Sequence, residues 1–345
     1  MRILPTFITL IIFLAACTSD IPSTPAQTQE NQEEAAQQDT TFESLNAAIV
    51  EDPSNPDNFL ERARYYFAQQ NFNDARKDLT SALRLDSLRD DIYFERGELL
   101  FAMKNFDEAM EDYQRCTEIN EDATDCQLKL GEMQILLRQY AEALKHINQA
   151  LKVDDQLPYG YYMKGRIYKE TGDTLLAASS YQTAIEVDPD YYDAYIEIAL
   201  LYAAAKSDLA IEYYNTALEI RPESVEAHYN LAYYLQQSGT KENGRFEEAF
   251  DHYERILEID DQNAAAAFNI GYIHLEYLQN YDSAIVAFTQ ACDLYPGYFQ
   301  AFYNRGLSYE SLGDSENALK DYNRALAIQP DFTNAAIAKG RVLGE

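Results

Sequence analysis

The sequence of 345 residues contains no tryptophan and only four histidines and four cysteines, so it has little material for a metal cluster or a disulfide-stapled core. Basic residues are also scarce, with 27 Lys and Arg against 58 Asp and Glu and a formal charge of −31. Such a polyanion repels nucleic acid and anionic lipid headgroups, which argues against both as partners. With 47% hydrophobic residues and 28 tyrosines, the chain still has enough apolar surface to fold.

The apolar run near the N-terminus, at 3–16, is shorter than the roughly 20 residues that a membrane-spanning helix needs. A basic residue precedes it and small residues end it, which is typical of a secretory signal. The residues Leu14-Ala15-Ala16-Cys17 resemble the bacterial lipobox. This resemblance implies a lipoprotein signal peptide at 1–16 and a lipid on Cys17. The alternative is an ordinary signal with Cys17 incidental.

Residues 18–40 are rich in Pro, Ser, Thr, Gln and Glu and have almost no large apolar side chains, a composition that predicts a disordered tether. Together with the lipidated Cys17 it forms a segment at 17–40 that connects the anchor to the folded body. We therefore expect a protein of the bacterial cell envelope, on the periplasmic side or at the cell surface. Thr18, where an Asp retains many lipoproteins at the inner membrane, favours the outer membrane; the leaflet stays open.

A repeat of 34 residues, with small variations, runs through the rest of the chain. A column of small residues marks it at successive intervals of 34, 34, 34, 34, 33, 39, 35 and 34 residues: Ala63, Gly97, Gly131, Gly165, Ala199, Ala232, Gly271, Gly306 and Gly340. Within each unit apolar residues recur at i, i+3, i+4 and i+7, the helical period. Each unit is therefore predicted to be a pair of helices, and such pairs bury their apolar faces only by stacking.

Aromatic residues complete the pattern, at the start of first helices (Phe59, Tyr161) and within second helices (Tyr113, Tyr181). The pattern resembles the tetratricopeptide repeat (TPR) over residues 40–345. The resemblance implies an all-α fold, an α-solenoid of eight TPR helix pairs at 56–332. A half-repeat helix at 41–55 and a capping helix at 333–345 are expected at its ends.

Three units depart from the pattern. The third has glutamines, Gln127 and Gln134, in place of aromatic residues. The fifth is one residue short near Lys206, and the sixth carries about five extra residues at 238–244. Such an insertion is either a contact loop or a change of length without function.

No catalytic constellation occurs in the sequence, so neither an enzyme nor a cofactor or metal site is expected. The histidines fall at or beside packing columns, and the carboxylates fall in phase with solvent-facing positions. Cys292 lies in a column of Leu and Ile and is expected in the core. Cys116 and Cys126 are ten residues apart across the turn between two repeats, and whether they form a disulfide stays open.

In the TPR family the first helices line a concave groove that binds peptides or helices, and this resemblance suggests a binding site here. The residues that follow the leading aromatic column are expected to face it: Tyr162, Arg166, Tyr229, Asn230, Tyr233, Phe268, Asn269, Tyr272, Tyr303 and Asn304. Asn side chains both donate and accept hydrogen bonds, so a row of them suits an extended peptide backbone.

Taken together, these features predict a membrane-anchored envelope lipoprotein that acts as a scaffold or adaptor. Its partner would be an envelope protein or peptide bound in the groove, and nucleic acid is not expected. The alternative is a cell-surface glycan- or nutrient-binding lipoprotein, because tyrosines stack on sugars. The identity of the partner, the pathway and the oligomeric state stay open.

Overall fold

The computed structural model describes residues 41–344, and no strand occurs in that range. The predicted all-α fold is confirmed. The helices are α1 at 41–51, α2 Pro56–Ala68, α3 Phe72–Leu85, α4 Asp90–Ala102, α5 Phe106–Ile119, α6 Thr124–Leu136, α7 Tyr140–Val153, α8 Pro158–Thr171, α9 Thr174–Val187, α10 Tyr192–Ala204, α11 Leu209–Ile220, α12 Val225–Ser238, α13 Arg245–Ile259, α14 Ala264–Tyr272, α15 Tyr281–Leu294, α16 Phe299–Ser311, α17 Ser315–Ile328 and α18 Thr333–Leu343. A π-helical turn, Ile273–Leu278, follows α14.

The chain divides into two compact units: the first ends at Asn120 and the second begins at Glu121. In the first unit α2 packs against α3, α3 against α4, and α4 against α5. The apolar face of α3 consists of Ala75, Leu79 and Ala82, spaced i, i+4 and i+7, and all three side chains are buried. Pro56 starts α2 at a position where its missing N–H costs nothing, and Asn55 Oδ1 accepts a hydrogen bond from Asp57 N at 3.0 Å.

In the second unit each even-numbered helix from α6 to α16 pairs with the helix that follows it, and each pair packs on the next. Neighbouring first helices also touch each other, as α6 touches α8 and α10 touches α12. We call the exposed parts of the first helices α6, α8, α10, α12, α14 and α16 the first-helix surface. The second helices of the same pairs are α7, α9, α11, α13, α15 and α17.

The column of small residues lies where the two helices of a pair cross. A Cβ atom on Gly165 would lie 2.4 Å from Tyr181 Cε1, and one on Gly97 would lie 2.5 Å from Tyr113 Cε1. Both tyrosines are fully buried. Glycine occurs in these repeats because the tyrosine ring of the second helix occupies the space of its missing side chain.

The irregular repeats differ in the connection between their two helices. In the short fifth repeat the turn comprises residues 205–208, and α11 begins late at Leu209 and has 12 residues against 14 in α9. The sixth repeat accommodates its extra residues in the segment 239–244. The seventh repeat is one residue longer between its two small columns, and the π-helical turn Ile273–Leu278 takes up that residue. The repeat pattern alone does not predict the π turn.

None of the helices within residues 41–344 has the length and apolarity that crossing a membrane requires. The predicted signal peptide, the lipidated Cys17 and the tether lie outside the described residues. They remain predictions.

Candidate functional site

Three repeats contain a buried ion pair between their two helices. Its geometry is bidentate, with an arginine of the first helix and an aspartate 16 residues later on the second, at N–O distances of 2.7–2.8 Å: Arg62–Asp78, Arg96–Asp112 and Arg305–Asp321. The three aspartates are only 5–6% exposed. The expectation that carboxylates face solvent is wrong for them. The shared spacing, with Arg directly before the small-residue column, is the sequence signal that would have revealed the pairs.

In two other repeats the aspartate position holds a histidine with a polar partner on the first helix. His146 Nδ1 lies 2.6 Å from Gln127 Oε1, and His252 Nδ1 lies 2.9 Å from His228 Nδ1. Gln127 Nε2 donates to Glu121 O, and His228 Nε2 lies 3.0 Å from Pro222 O. A carbonyl only accepts, so His228 carries its proton on Nε2 and accepts the N–H of His252. Each pair thus fastens the start of a first helix to the second helix.

Burial lowers the pKa of both members of the histidine pair, and that of His252 falls to about 4. His228 and His252 therefore pack as expected and also form a hydrogen bond that requires neutral rings. His274 packs flat against Phe250, with ring centroids 4.7 Å apart.

Four of the aromatic residues predicted for the groove form two stacked pairs, one on α12 and one on α14. Tyr229 and Tyr233 of α12 are parallel, with an interplanar angle of 2° and centroids 6.5 Å apart. Phe268 and Tyr272 of α14 repeat this arrangement at 6.2 Å. Tyr233 is 49% exposed, so one face of this stack is open to solvent.

Other predicted groove residues lie farther along the same unit. Arg166 of α8 lies over the ring of Tyr162, with its Cζ 5.9 Å from the ring centroid. Tyr303 of α16 packs edge-on against Phe332 and is partly buried.

The three asparagines of the predicted ladder have different environments. Asn230 is partly exposed, whereas Asn269 and Asn304 are each 8% exposed. Asn269 Nδ2 donates to the Tyr229 hydroxyl at 3.4 Å and so connects α14 to α12. Replacing Asn269 or Asn304 therefore changes packing as well as any peptide contact. Peptide binding by the predicted groove stays a prediction.

Family models of the tetratricopeptide repeat match six segments of the chain: 60–124, 100–167, 158–191, 206–239, 264–298 and 299–332. Together these segments cover more than half of the 345 residues. The chain belongs to the tetratricopeptide-repeat family. TPR proteins generally mediate contacts between proteins, and the fold is typically a non-catalytic scaffold.

Two curated TPR-containing relatives are similar to parts of the chain. Anaphase-promoting complex subunit 3 of Schizosaccharomyces pombe is 23% identical over 57% of this chain and 24% of its own length. Tetratricopeptide repeat protein 6 of Homo sapiens is 23% identical over 48% of this chain and 31% of its own length. The chain thus spans less than a third of the length of these relatives.

A solved structure supports the TPR fold. It is the C-terminal part of a TPR repeat-containing protein from Cytophaga hutchinsonii, which is 19% identical and has a TM-score of 0.53. The match covers 70% of this chain and 97% of that chain. At this identity the likeness concerns the fold alone.

Within residues 41–344 of this TPR protein, no three His, Cys, Asp or Glu side chains are grouped so that they could hold a metal ion. Cys292 is 4% exposed, packs among Ala267, Ala291 and Ala301, and is confirmed as a core residue. Burial raises the pKa of its thiol to about 12, so the thiol stays protonated and unreactive at neutral pH. Cys116 and Cys126, whose pairing the sequence leaves open, are each 1% exposed.

Proposed function

We propose that this TPR protein is a membrane-anchored scaffold of the bacterial cell envelope that binds a partner protein or peptide on its first-helix surface. The observation that carries the proposal is the open tyrosine stack on α12. Tyr233 exposes 49% of its surface, whereas the tyrosines at the helix crossings, such as Tyr253, are fully buried. An exposed aromatic ring beside polar side chains is typical of binding surfaces.

The stack also has the geometry of a binding platform. Tyr229 supports Tyr233 from one side and is itself fixed by the hydrogen bond from Asn269. A ring held in this way loses little side-chain entropy when a partner packs against it. The partly exposed Asn230 beside the stack offers a donor and an acceptor to a peptide backbone.

Recruitment is the mechanism that we infer. A lipid on Cys17 would keep the chain at the membrane, and the tether would let the TPR repeats sample the space above it. Binding on the first-helix surface would then raise the concentration of the partner near the membrane. The membrane anchor and the partner are both parts of the proposal.

The test is crosslinking of the full-length lipidated protein in its own cells, followed by capture and identification of bound proteins. Three forms are compared: the unaltered protein, Tyr233→Ala, and the control Val286→Ala. Val286 is a 70% exposed apolar residue on the second helix α15, so its truncation removes a similar kind of surface away from the stack.

A partner captured by the unaltered protein and by Val286→Ala, but lost with Tyr233→Ala, supports a scaffold that binds through the first-helix surface. Equal capture by all three forms contradicts this binding surface. No captured protein, together with saturable binding of a soluble glycan, contradicts the scaffold function and favours the nutrient-binding alternative.

A further inference from the structure

Three adjacent first helices of the second unit carry negative charge without any positive charge. The helices α10 and α12, and α14 with its π turn, contain no Lys or Arg, whereas they carry Asp193, Glu197, Glu226 and Glu276. Between Arg255 and Arg305 the chain has no lysine or arginine. The first-helix surface of these repeats therefore presents a negative potential to an approaching molecule.

Neighbouring elements neutralise only part of this charge. Lys169 of α8 bonds to Glu197, and Arg221 lies 3.9 Å from Asp193. Glu226 and Glu276 have no salt-bridge partner among residues 41–344. Partial burial and the charges of Asp193 and Glu197 raise the pKa of Glu226. A cation placed here would relieve the repulsion among these carboxylates.

The aromatic rings of this surface lie beside the same carboxylates. Tyr233 and Tyr272 are near neighbours, and Glu276 lies one turn beyond Tyr272. The face of a tyrosine ring attracts ammonium and guanidinium groups. The chain uses this contact itself, because Arg221 lies over the ring of Tyr192 with its Cζ 4.1 Å from the centroid.

A buried hydroxyl without a partner adds an independent observation. Tyr181 is fully buried, and its OH has no hydrogen-bond partner among the described residues. The equivalent Tyr253 and Tyr322 donate to Gln236 and Glu310 of their first helices. Tyr181 instead lies against Tyr162 and close to Glu197, at the α8 edge of the acidic surface. Its hydrogen-bonding capacity is therefore unused among the described residues, and a ligand would reach this oxygen only after the surrounding side chains move.

We propose that the first-helix surface from α10 to α14 binds an extended segment whose side chains include lysine and arginine. The carboxylates of Glu226 and Glu276 face the cationic heads, and the rings of Tyr233 and Tyr272 hold the alkyl stems and cationic groups. This inference rests on the proposed scaffold function and specifies the chemistry of its partner.

The experiment measures binding of fluorescent peptides to the purified protein by anisotropy. The probes are an alternating Lys-Ser peptide and its Gln-Ser analogue of equal length. Two double variants are compared with the unaltered chain: Glu226→Gln/Glu276→Gln on the first-helix surface, and Glu254→Gln/Asp293→Asn on α13 and α15. Both variants remove the same charge, so a general attraction to an acidic protein affects them equally.

We expect the Lys-Ser peptide to bind more tightly than the Gln-Ser peptide, and to bind more weakly as salt is added. Glu226→Gln/Glu276→Gln is expected to weaken its binding about tenfold, and Glu254→Gln/Asp293→Asn to have a much smaller effect. Equal loss in both variants, or equal affinity for the two peptides, overturns the inference.

The outcomes separate this inference from the proposed function. If the cellular partner is captured through Tyr233 but the Lys-Ser peptide shows no preference, the scaffold function holds and the cationic partner is excluded. If capture does not depend on Tyr233 while the Lys-Ser peptide binds selectively, the surface prefers cationic peptides but is not the binding site of the cellular partner.

Discussion

At the scale of single residues, the buried Arg–Asp pairs show how a repeat keeps charge inside its helix pair. Asp112 is surrounded by protein and accepts both hydrogen bonds from Arg96. A paired buried charge contributes little net stability, but an unpaired one is costly. The seventh repeat has no such pair and carries Ile270 and Ala287 at the equivalent positions.

We therefore predict that Asp112→Ala lowers the free energy of unfolding by about 3 kcal/mol, because Arg96 loses its partner in a largely buried site. The double variant Arg96→Ile/Asp112→Ala, which has the residues of the seventh repeat, is expected to recover most of that loss. Urea unfolding followed by circular dichroism measures both. If the double variant is as unstable as the single one, the pair itself is required.

The histidine pair predicts a pH dependence of stability. The folded chain holds His228 and His252 neutral, and their pKa values lie below the value of about 6.5 for an unfolded chain. Between pH 6.5 and about 4 the unfolded chain therefore binds more protons, so the stability that the pair contributes is complete above this window and declines as the pH falls through it.

The variant His252→Gln keeps an N–H donor but does not titrate. Its melting temperature, measured from neutral pH to pH 4, should fall less steeply than that of the unaltered protein. Both proteins contain the same carboxylates that titrate in this range, so the effect of these carboxylates cancels when the two melting-temperature curves are subtracted. Parallel curves would contradict the assignment of this window to the pair.

At the scale of helices, close packing at the crossing of each pair explains the column of small residues. Gly165 lies against the fully buried Tyr181, which has no room to shift. In α18, Gly340 occupies the same phase, but a Cβ added there would meet no atom within 4 Å. The two glycines thus share a sequence position and differ in environment.

Gly165→Ala is expected to destabilise the chain by about 1–3 kcal/mol, because the added methyl group overpacks the crossing. Gly340→Ala is expected to stabilise α18 by about 0.5–1 kcal/mol, since alanine is the better helix former. Thermal unfolding of the two variants tests both signs. A neutral Gly165→Ala would mean that the ring of Tyr181 moves aside.

At the scale of the whole molecule, the proposed function depends on joining the TPR repeats to a membrane. The proposed anchor is the lipid on Cys17, which follows the lipobox-like residues Leu14-Ala15-Ala16. Acyl chains add about 0.8 kcal/mol of membrane affinity per buried CH₂ group, and two chains suffice for stable attachment despite the negative charge.

Cys17→Ser is predicted to release the protein from membranes. Cells expressing either form are labelled with a clickable palmitate analogue, and membrane and soluble fractions are compared. The unaltered protein should take up label and sediment with membranes, and the variant should do neither. Label on the variant would place the acyl group elsewhere, and an unlabelled but membrane-bound natural chain would contradict the lipid anchor.

The periodic sequence by itself determined the helix pairs and the TPR family. Helical period, the column of small residues and the buried tyrosines are local and repeat many times, so errors in one unit do not change the result. The sequence also predicted which aromatic residues belong to the first helices, such as Tyr229 and Tyr233, because their helical phase follows from the same period.

Only the tertiary structure decided which polar residues are buried and which are open. Three cases depend on contacts between different helices: Asn269 is buried, Arg96 pairs with Asp112, and His228 contacts His252. Their partners lie 16 or more residues apart and are selected by how the helices pack. Helical phase tells which direction a side chain takes, whereas burial depends on what the neighbouring helix places opposite it.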